Sequence, residues 1–110
     1  MGAFDIFYKK EKMIRKTIQI DSNLYTRLNY LSKNVYDTST NMLINASIGE
    51  LIKTENITSY KKEKQDILEK HTLLIRESFV IALDELKDKY DMPIYKLVNM
   101  AIKIALTEVN

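Results

Sequence analysis

Met13-Ile14-Arg15-Lys16-Thr17-Ile18-Gln19-Ile20-Asp21-Ser22 changes its periodicity once, and that change decides the fold. Ile14, Lys16, Ile18 and Ile20 fall on one side of an alternating pattern, and Arg15, Thr17, Gln19 and Asp21 on the other. A period of two with β-branched residues specifies a short strand. At Asp21-Ser22 the period becomes helical: Leu24, Leu28, Leu31 and Val35 recur at helix spacing, with Asp21 or Ser22 as N-cap. The stretch Tyr36-Asp37-Thr38-Ser39 interrupts that helix. Ser39 can cap a second one carrying Leu43, Ile44, Ile48, Leu51 and Ile52.

A lone strand cannot stand by itself, because each buried backbone group left unpaired costs about 1–3 kcal/mol. The first 53 residues hold no second strand, so the mate is a copy of the same segment, in another chain or in the second half of this one. The second half repeats the scheme. Thr72-Leu73-Leu74-Ile75 is a short apolar run, and Phe79, Leu83, Leu86 and Tyr90 follow at helical spacing. Asp91-Met92-Pro93 makes a break with proline at the first position of a new helix, whose stripe is Leu97, Val98, Ile102, Ala105 and Leu106. Shifted by 55, Ile18, Ile20, Leu24, Leu28 and Leu31 fall on Leu73, Ile75, Phe79, Leu83 and Leu86; shifted by 54, Leu43-Ile44-Asn45 falls on Leu97-Val98-Asn99. Asn45 and Asn99 thus occupy matching places, as polar helix positions near the contact between the two copies.

The resulting division is a basic and aromatic arm over 1–13, a first β-α-α unit over 14–53, a linker over 54–69 and a second, divergent unit over 70–110. The fold expected is mainly α with a short two-stranded antiparallel ribbon, its two units forming a pseudo-dimer over four helices. The polar span from Lys53 to Lys70 reaches roughly 60 Å when extended, so pairing within one chain is allowed.

Composition narrows the function. With 45% hydrophobic and 29% charged residues, the 110-residue chain reads as a folded protein and not as a disordered one. The absence of cysteine and a single histidine argue against a disulfide framework, a thiol nucleophile and a zinc finger. Two glycines and one proline leave no glycine-rich phosphate loop, so neither an enzyme nor a cofactor is expected. No apolar run approaches membrane-spanning length, and a cytoplasmic protein is expected. The net charge is only +2, so a nucleic-acid partner would have to be engaged by placed side chains and not by bulk charge.

The stretch Arg15 to Leu24, followed by Leu28, Leu31, the Asp37–Ser39 turn and Met42-Leu43-Ile44, resembles the ribbon-helix-helix (Arc/MetJ/CopG-like) DNA-binding family over about 40 residues. The tandem arrangement is similar to relaxosome accessory proteins of F-type conjugative plasmids. The resemblance implies double-stranded DNA as partner, with the ribbon in the major groove and alternate strand residues reading base edges. By position these are Arg15, Thr17 and Gln19, with Lys70 and Thr72 in the second copy, where Leu74 departs from the pattern because it cannot hydrogen-bond. It also implies phosphate anchoring at the start of the second helix, here Ser39, Thr40 and Asn41, with Lys96 in the second copy. Lys10 and Lys12 of the arm are further expected phosphate contacts. The side-chain chemistry is suitable: arginine pairs with guanine O6 and N7, glutamine with adenine, and threonine offers a hydroxyl and a methyl. Ser39 equally fits a plain cap, and an Arg-x-Thr-x-Gln row fits any solvated ribbon face.

The functions implied are transcriptional repressor or plasmid maintenance and transfer regulator, with self-association on DNA open. A rival from another class is an antitoxin or small helical interaction module whose residues 70–110 bind a protein partner. The acidic stretch of Glu77, Asp84, Glu85, Asp88 and Asp91 suits that rival. His71 is expected to flank the ribbon without chemistry, and Tyr25 and Tyr30 to pack on a helix face.

Overall fold

The mate that the first strand requires is supplied by the same chain. The computed structural model describes residues 11–57 and 67–108; Lys10 and most of the expected arm and linker lie outside them. Strand β1 (Met13–Asp21) leads into helices α1 (Ser22–Asn34) and α2 (Thr40–Thr54), and strand β2 (Leu68–Arg76) leads into α3 (Glu77–Tyr90) and α4 (Ile94–Thr107). The strands pair antiparallel, from Met13 opposite Arg76 to Asp21 opposite Leu68, with Thr17 opposite Thr72 at the centre. The described residues are therefore mainly helical with one two-stranded antiparallel sheet.

β2 starts two residues before the expected unit boundary and extends one past the apolar run. Periodicity marked only its middle, because Leu68, Glu69, Lys70 and Arg76 are held extended by cross-strand pairing and not by a hydrophobic pattern of their own. Ile18, Ile20, Leu73 and Ile75 point from the ribbon into the core. There they meet Leu24 and Leu28 of α1, Ile44, Ile48 and Leu51 of α2, Leu83 and Leu86 of α3, and the almost wholly buried Leu97–Ile102 stretch of α4. Each fully buried aliphatic side chain of this set contributes about 1.5–3 kcal/mol.

Four placements differ from the alternating and helical patterns. Asp21, expected on the outer side with Gln19, is buried because the chain is already turning into α1; its Oδ1 accepts from Asn23 N at 2.9 Å and from Leu24 N at 3.5 Å. Lys16, on the inward parity, is nevertheless exposed, since a charged head stays in water while its stem follows the apolar surface. Tyr30 is 62% exposed and packs on nothing in the core, whereas Tyr25 does pack, so only one of the two tyrosines behaves as expected. Pro93 sits at the N-cap of α4, one position earlier than expected, and Ile94 takes the first helical place.

Candidate nucleic-acid interface

A strand whose inward residues are fixed by the core has its outward residues fixed as well. With Ile18, Ile20, Leu73 and Ile75 inward, the opposite face of the ribbon presents Met13, Arg15, Thr17 and Gln19 from β1, and Lys70, Thr72, Leu74 and Arg76 from β2. All eight are exposed. The register sets Arg15 across from Leu74, Thr17 across from Thr72 and Gln19 across from Lys70. The two threonine hydroxyls lie 3.3 Å apart, close enough for one to donate to the other. The structure thus brings the five expected base-contact residues together on one face, and joins to them Met13 and Arg76, which sequence reasoning did not select. Arg76 went unnoticed because it directly precedes a helix and breaks the apolar run; that β2 extends to it, opposite Met13, is shown by the register.

Two asparagines hold the free edges of the ribbon. Asn99, fully buried on α4, donates from Nδ2 to the Gln19 carbonyl at 2.9 Å and accepts on Oδ1 from the Asp21 N–H at 2.8 Å. Asn45 on α2 does the same to β2, donating to the Leu74 carbonyl at 2.8 Å and accepting from the Arg76 N–H at 3.2 Å. Gln19 and Asp21 are offset by 55 from Leu74 and Arg76, the spacing at which the strand sequences superpose. The same offset relates two backbone bonds at the strand ends, Glu77 N–H to the Lys12 carbonyl at 2.9 Å and Ser22 N–H to the Ile67 carbonyl at 2.8 Å. The asparagine pair was visible in the sequence as a coincidence of polar positions; its role as a strand clamp was not, since that depends on which edge each helix crosses.

The clamps are not identical. On β2, Asn41 adds a second amide, accepting from the Leu74 N–H at 2.9 Å and donating to the Leu74 carbonyl at 2.8 Å. Its counterpart at an offset of 54 is Tyr95, which carries no amide. Beneath β2, His71 stacks on Tyr25 with ring centroids 3.7 Å apart. At the matching places beneath β1 stand Lys16 and Val80, and the smaller side chain leaves a cavity of about 270 Å³ also lined by Ile18, Leu83, Ile94 and Tyr95.

The start of α2 is already occupied by internal bonds. Ser39 Oγ accepts from Met42 N at 3.1 Å, the Thr40 hydroxyl donates to Asn29 Oδ1 at 2.8 Å, and the Asn41 amide is engaged on Leu74. These bonds take up the side chains of Ser39, Thr40 and Asn41 that were expected as phosphate contacts, and the Met42 N–H is bonded to Ser39 as well; an anion at this helix start would have to be met by the backbone N–H groups ahead of Met42. Lys96 lies half-buried in the first turn of α4, and Lys12 is exposed just before β1. Lys10 lies outside the described residues.

The second unit lacks the cap that Asp21 gives the first, since Arg76 stands at the N-cap of α3 and makes no side-chain cap bond. Glu11 replaces it from across the ribbon: its carboxylate accepts from Ser78 N at 2.7 Å and lies 3.6 Å from the Arg76 guanidinium. The Ser78 bonds, with the nearby Arg76 charge, hold the Glu11 carboxyl below its ordinary value of 4.5. No cluster of three or more metal-ligating side chains and no helix long and apolar enough to cross a membrane occurs among the described residues. No family model, curated protein or solved structure matches the chain.

Proposed function

We propose that this chain binds double-stranded DNA in a sequence-specific manner, as a ribbon-helix-helix protein whose two β-α-α units form a pseudo-dimer within one chain. The observation that carries the reading is the outward row of Arg15, Thr17 and Gln19 beside Lys70 and Thr72 on a ribbon whose edges are pinned by Asn45 and Asn99. A major groove about 12 Å wide admits a two-stranded ribbon, and the backbone of this one is pinned to a helical body, so the strands themselves have little conformational freedom left to lose. The eight exposed outward positions carry Arg15, Lys70 and Arg76 and no acidic residue, and although Arg76 is paired with the neighbouring Glu11 carboxylate, Arg15 and Lys70 suit a polyanion despite the small net charge. Occupying a site is all that such a protein needs to do to act as a repressor or as a plasmid maintenance or transfer regulator.

The rival, a C-terminal half free to grip a protein partner, finds less support. Leu73, Ile75, Leu83, Leu97, Val98 and Ile102 of that half are buried in the same core as Ile20, Ile44 and Ile48. Freeing the half would open this core.

Fluorescence anisotropy of a labelled duplex titrated with the full chain tests the proposal. Expected are binding by a monomer near 12.9 kDa and a steep loss of affinity with salt. Duplex DNA left unbound at low salt would overturn it.

A further inference from the structure

The two halves of the ribbon are related in position but not in chemistry, and the register makes the difference directional. At an offset of 55, Arg15 corresponds to Lys70, Thr17 to Thr72 and Gln19 to Leu74, so one strand presents Arg-x-Thr-x-Gln and the other Lys-x-Thr-x-Leu. Antiparallel pairing then sets unlike residues side by side at each end. Arg15 lies across from Leu74 at one end, Gln19 lies across from Lys70 at the other, and the matched threonines meet in the middle. Leu74 is a full member of this face: it is 44% exposed, its parity is outward, and both of its backbone groups are held by Asn41 and Asn45.

We infer that one chain recognises an oriented, non-palindromic duplex site, with its polarity set by the Arg15–Leu74 end against the Gln19–Lys70 end. The inference rests on the DNA-binding reading above. The Arg15–Leu74 end selects a guanine through the guanidinium and, on the neighbouring strand, a thymine whose methyl meets the leucine. The Gln19–Lys70 end selects an adenine through the carboxamide and a guanine through the ammonium. Four residues of strand at about 3.3 Å each separate the ends, roughly 13 Å, or about four base-pair steps of 3.4 Å around a centre under Thr17 and Thr72. A two-fold homodimer could not have this property, because both ends of its ribbon would be the same. Here Lys70 and Leu74 break the symmetry while Thr72 keeps it, and the outer pair of Met13 and Arg76, whose counterparts at the other end are Leu68 and the buried Asp21, breaks it further.

The test is selection of bound duplexes from a random double-stranded pool by the full chain and by the double variant Lys70→Arg, Leu74→Gln. Both substitutions lie at exposed positions and give β2 the Arg-x-Thr-x-Gln of β1, so the inner positions become two-fold while the outer Met13–Arg76 pair is left as it is. The natural chain is expected to enrich a directional sequence bound by one chain per site. The double variant is expected to enrich a palindrome, bound about tenfold or more tightly than by the natural chain, the scale of one added two-bond base contact. A palindrome enriched by the natural chain, with two chains per duplex, would overturn the inference while leaving DNA binding intact. Should no duplex be enriched, the DNA-binding reading fails and the inference with it. Should the double variant fail to fold by circular dichroism, the symmetry of the natural chain's own site still decides the matter.

Discussion

Asn99→Ala should destabilise the protein more than Asn45→Ala, although both remove the same side chain from matching places. Each asparagine bridges one strand edge, donating to a carbonyl and accepting from an N–H two residues on. Each also donates back to its own helix, Asn99 to the Tyr95 carbonyl at 2.7 Å and Asn45 to the Asn41 carbonyl at 3.0 Å. The difference lies in what remains afterwards. Without Asn45, the Leu74 carbonyl keeps its bond from Asn41, and only the Arg76 N–H, on an exposed residue, loses its partner. Without Asn99, the Gln19 carbonyl and the Asp21 N–H both lose the bonds that Asn99 makes, the latter on a residue only 3% exposed. At about 1–3 kcal/mol for a buried group that loses its bond, and less for the Gln19 and Arg76 groups on exposed residues, Asn99→Ala should cost about 2–4 kcal/mol and Asn45→Ala about 1–2 kcal/mol. Urea unfolding followed by helical circular dichroism measures both; the midpoints should separate while the slope stays constant. Equal costs, or a larger cost at Asn45, would refute the view that Asn41 provides the reserve.

Three further outcomes follow from the geometry. Arg15→Ala or Gln19→Ala should each cost about 1–3 kcal/mol of DNA affinity and relax preference at one base pair, whereas Lys12→Ala should weaken all duplexes alike and flatten the salt dependence, as measured by anisotropy at several salt concentrations. Gly49 on α2 has room for a methyl only if Phe79 yields, since an added Cβ would lie 3.0 Å from its Cζ. Gly49→Ala should therefore bring little or no gain in the natural background but stabilise by about 1 kcal/mol once Phe79 is replaced by leucine, read from the same urea curves. Hydrogen bonds from Lys89 and Tyr90 hold Glu55 below its ordinary 4.5, as those from Ser78 do for Glu11. A carboxyl depressed in the folded state adds stability above 4.5 that is lost as pH falls through the folded value. Glu11→Gln and Glu55→Gln should each flatten the acid side of the stability profile below about 4.5, with carboxyl titration by NMR giving the folded values directly.

Much of this architecture is legible in the residues because each element announces itself locally. The switch from alternation to helical spacing at Asp21 marks the end of β1 and the start of α1, and the same aspartate supplies the cap. The superposition at 55 anticipates which residues of β2 face inward, because Leu73 and Ile75 copy Ile18 and Ile20. What stays hidden is whatever depends on two distant segments meeting. Nothing in the local pattern of Glu11 foretells that it caps α3, a helix beginning at Glu77. Nothing around Asn41 foretells that its amide is taken up by Leu74, 33 residues away. For the candidate site, parity identified the face, but the pairing of Arg15 with Leu74 and the membership of Arg76 required the register.

Because β1 finds its mate within the same polypeptide, the ribbon assembles in a unimolecular step. A reading head built from two separate chains comes apart on dilution, and its occupancy of a site falls with the square of its abundance once the monomer dominates. Here the second strand is always present at the effective concentration that its tether sets. Folding stability should therefore be independent of protein concentration and, on the DNA-binding proposal, site occupancy should follow abundance to the first power. If the chain binds DNA as proposed, a cell holding only a few molecules would keep every one of them ready to bind.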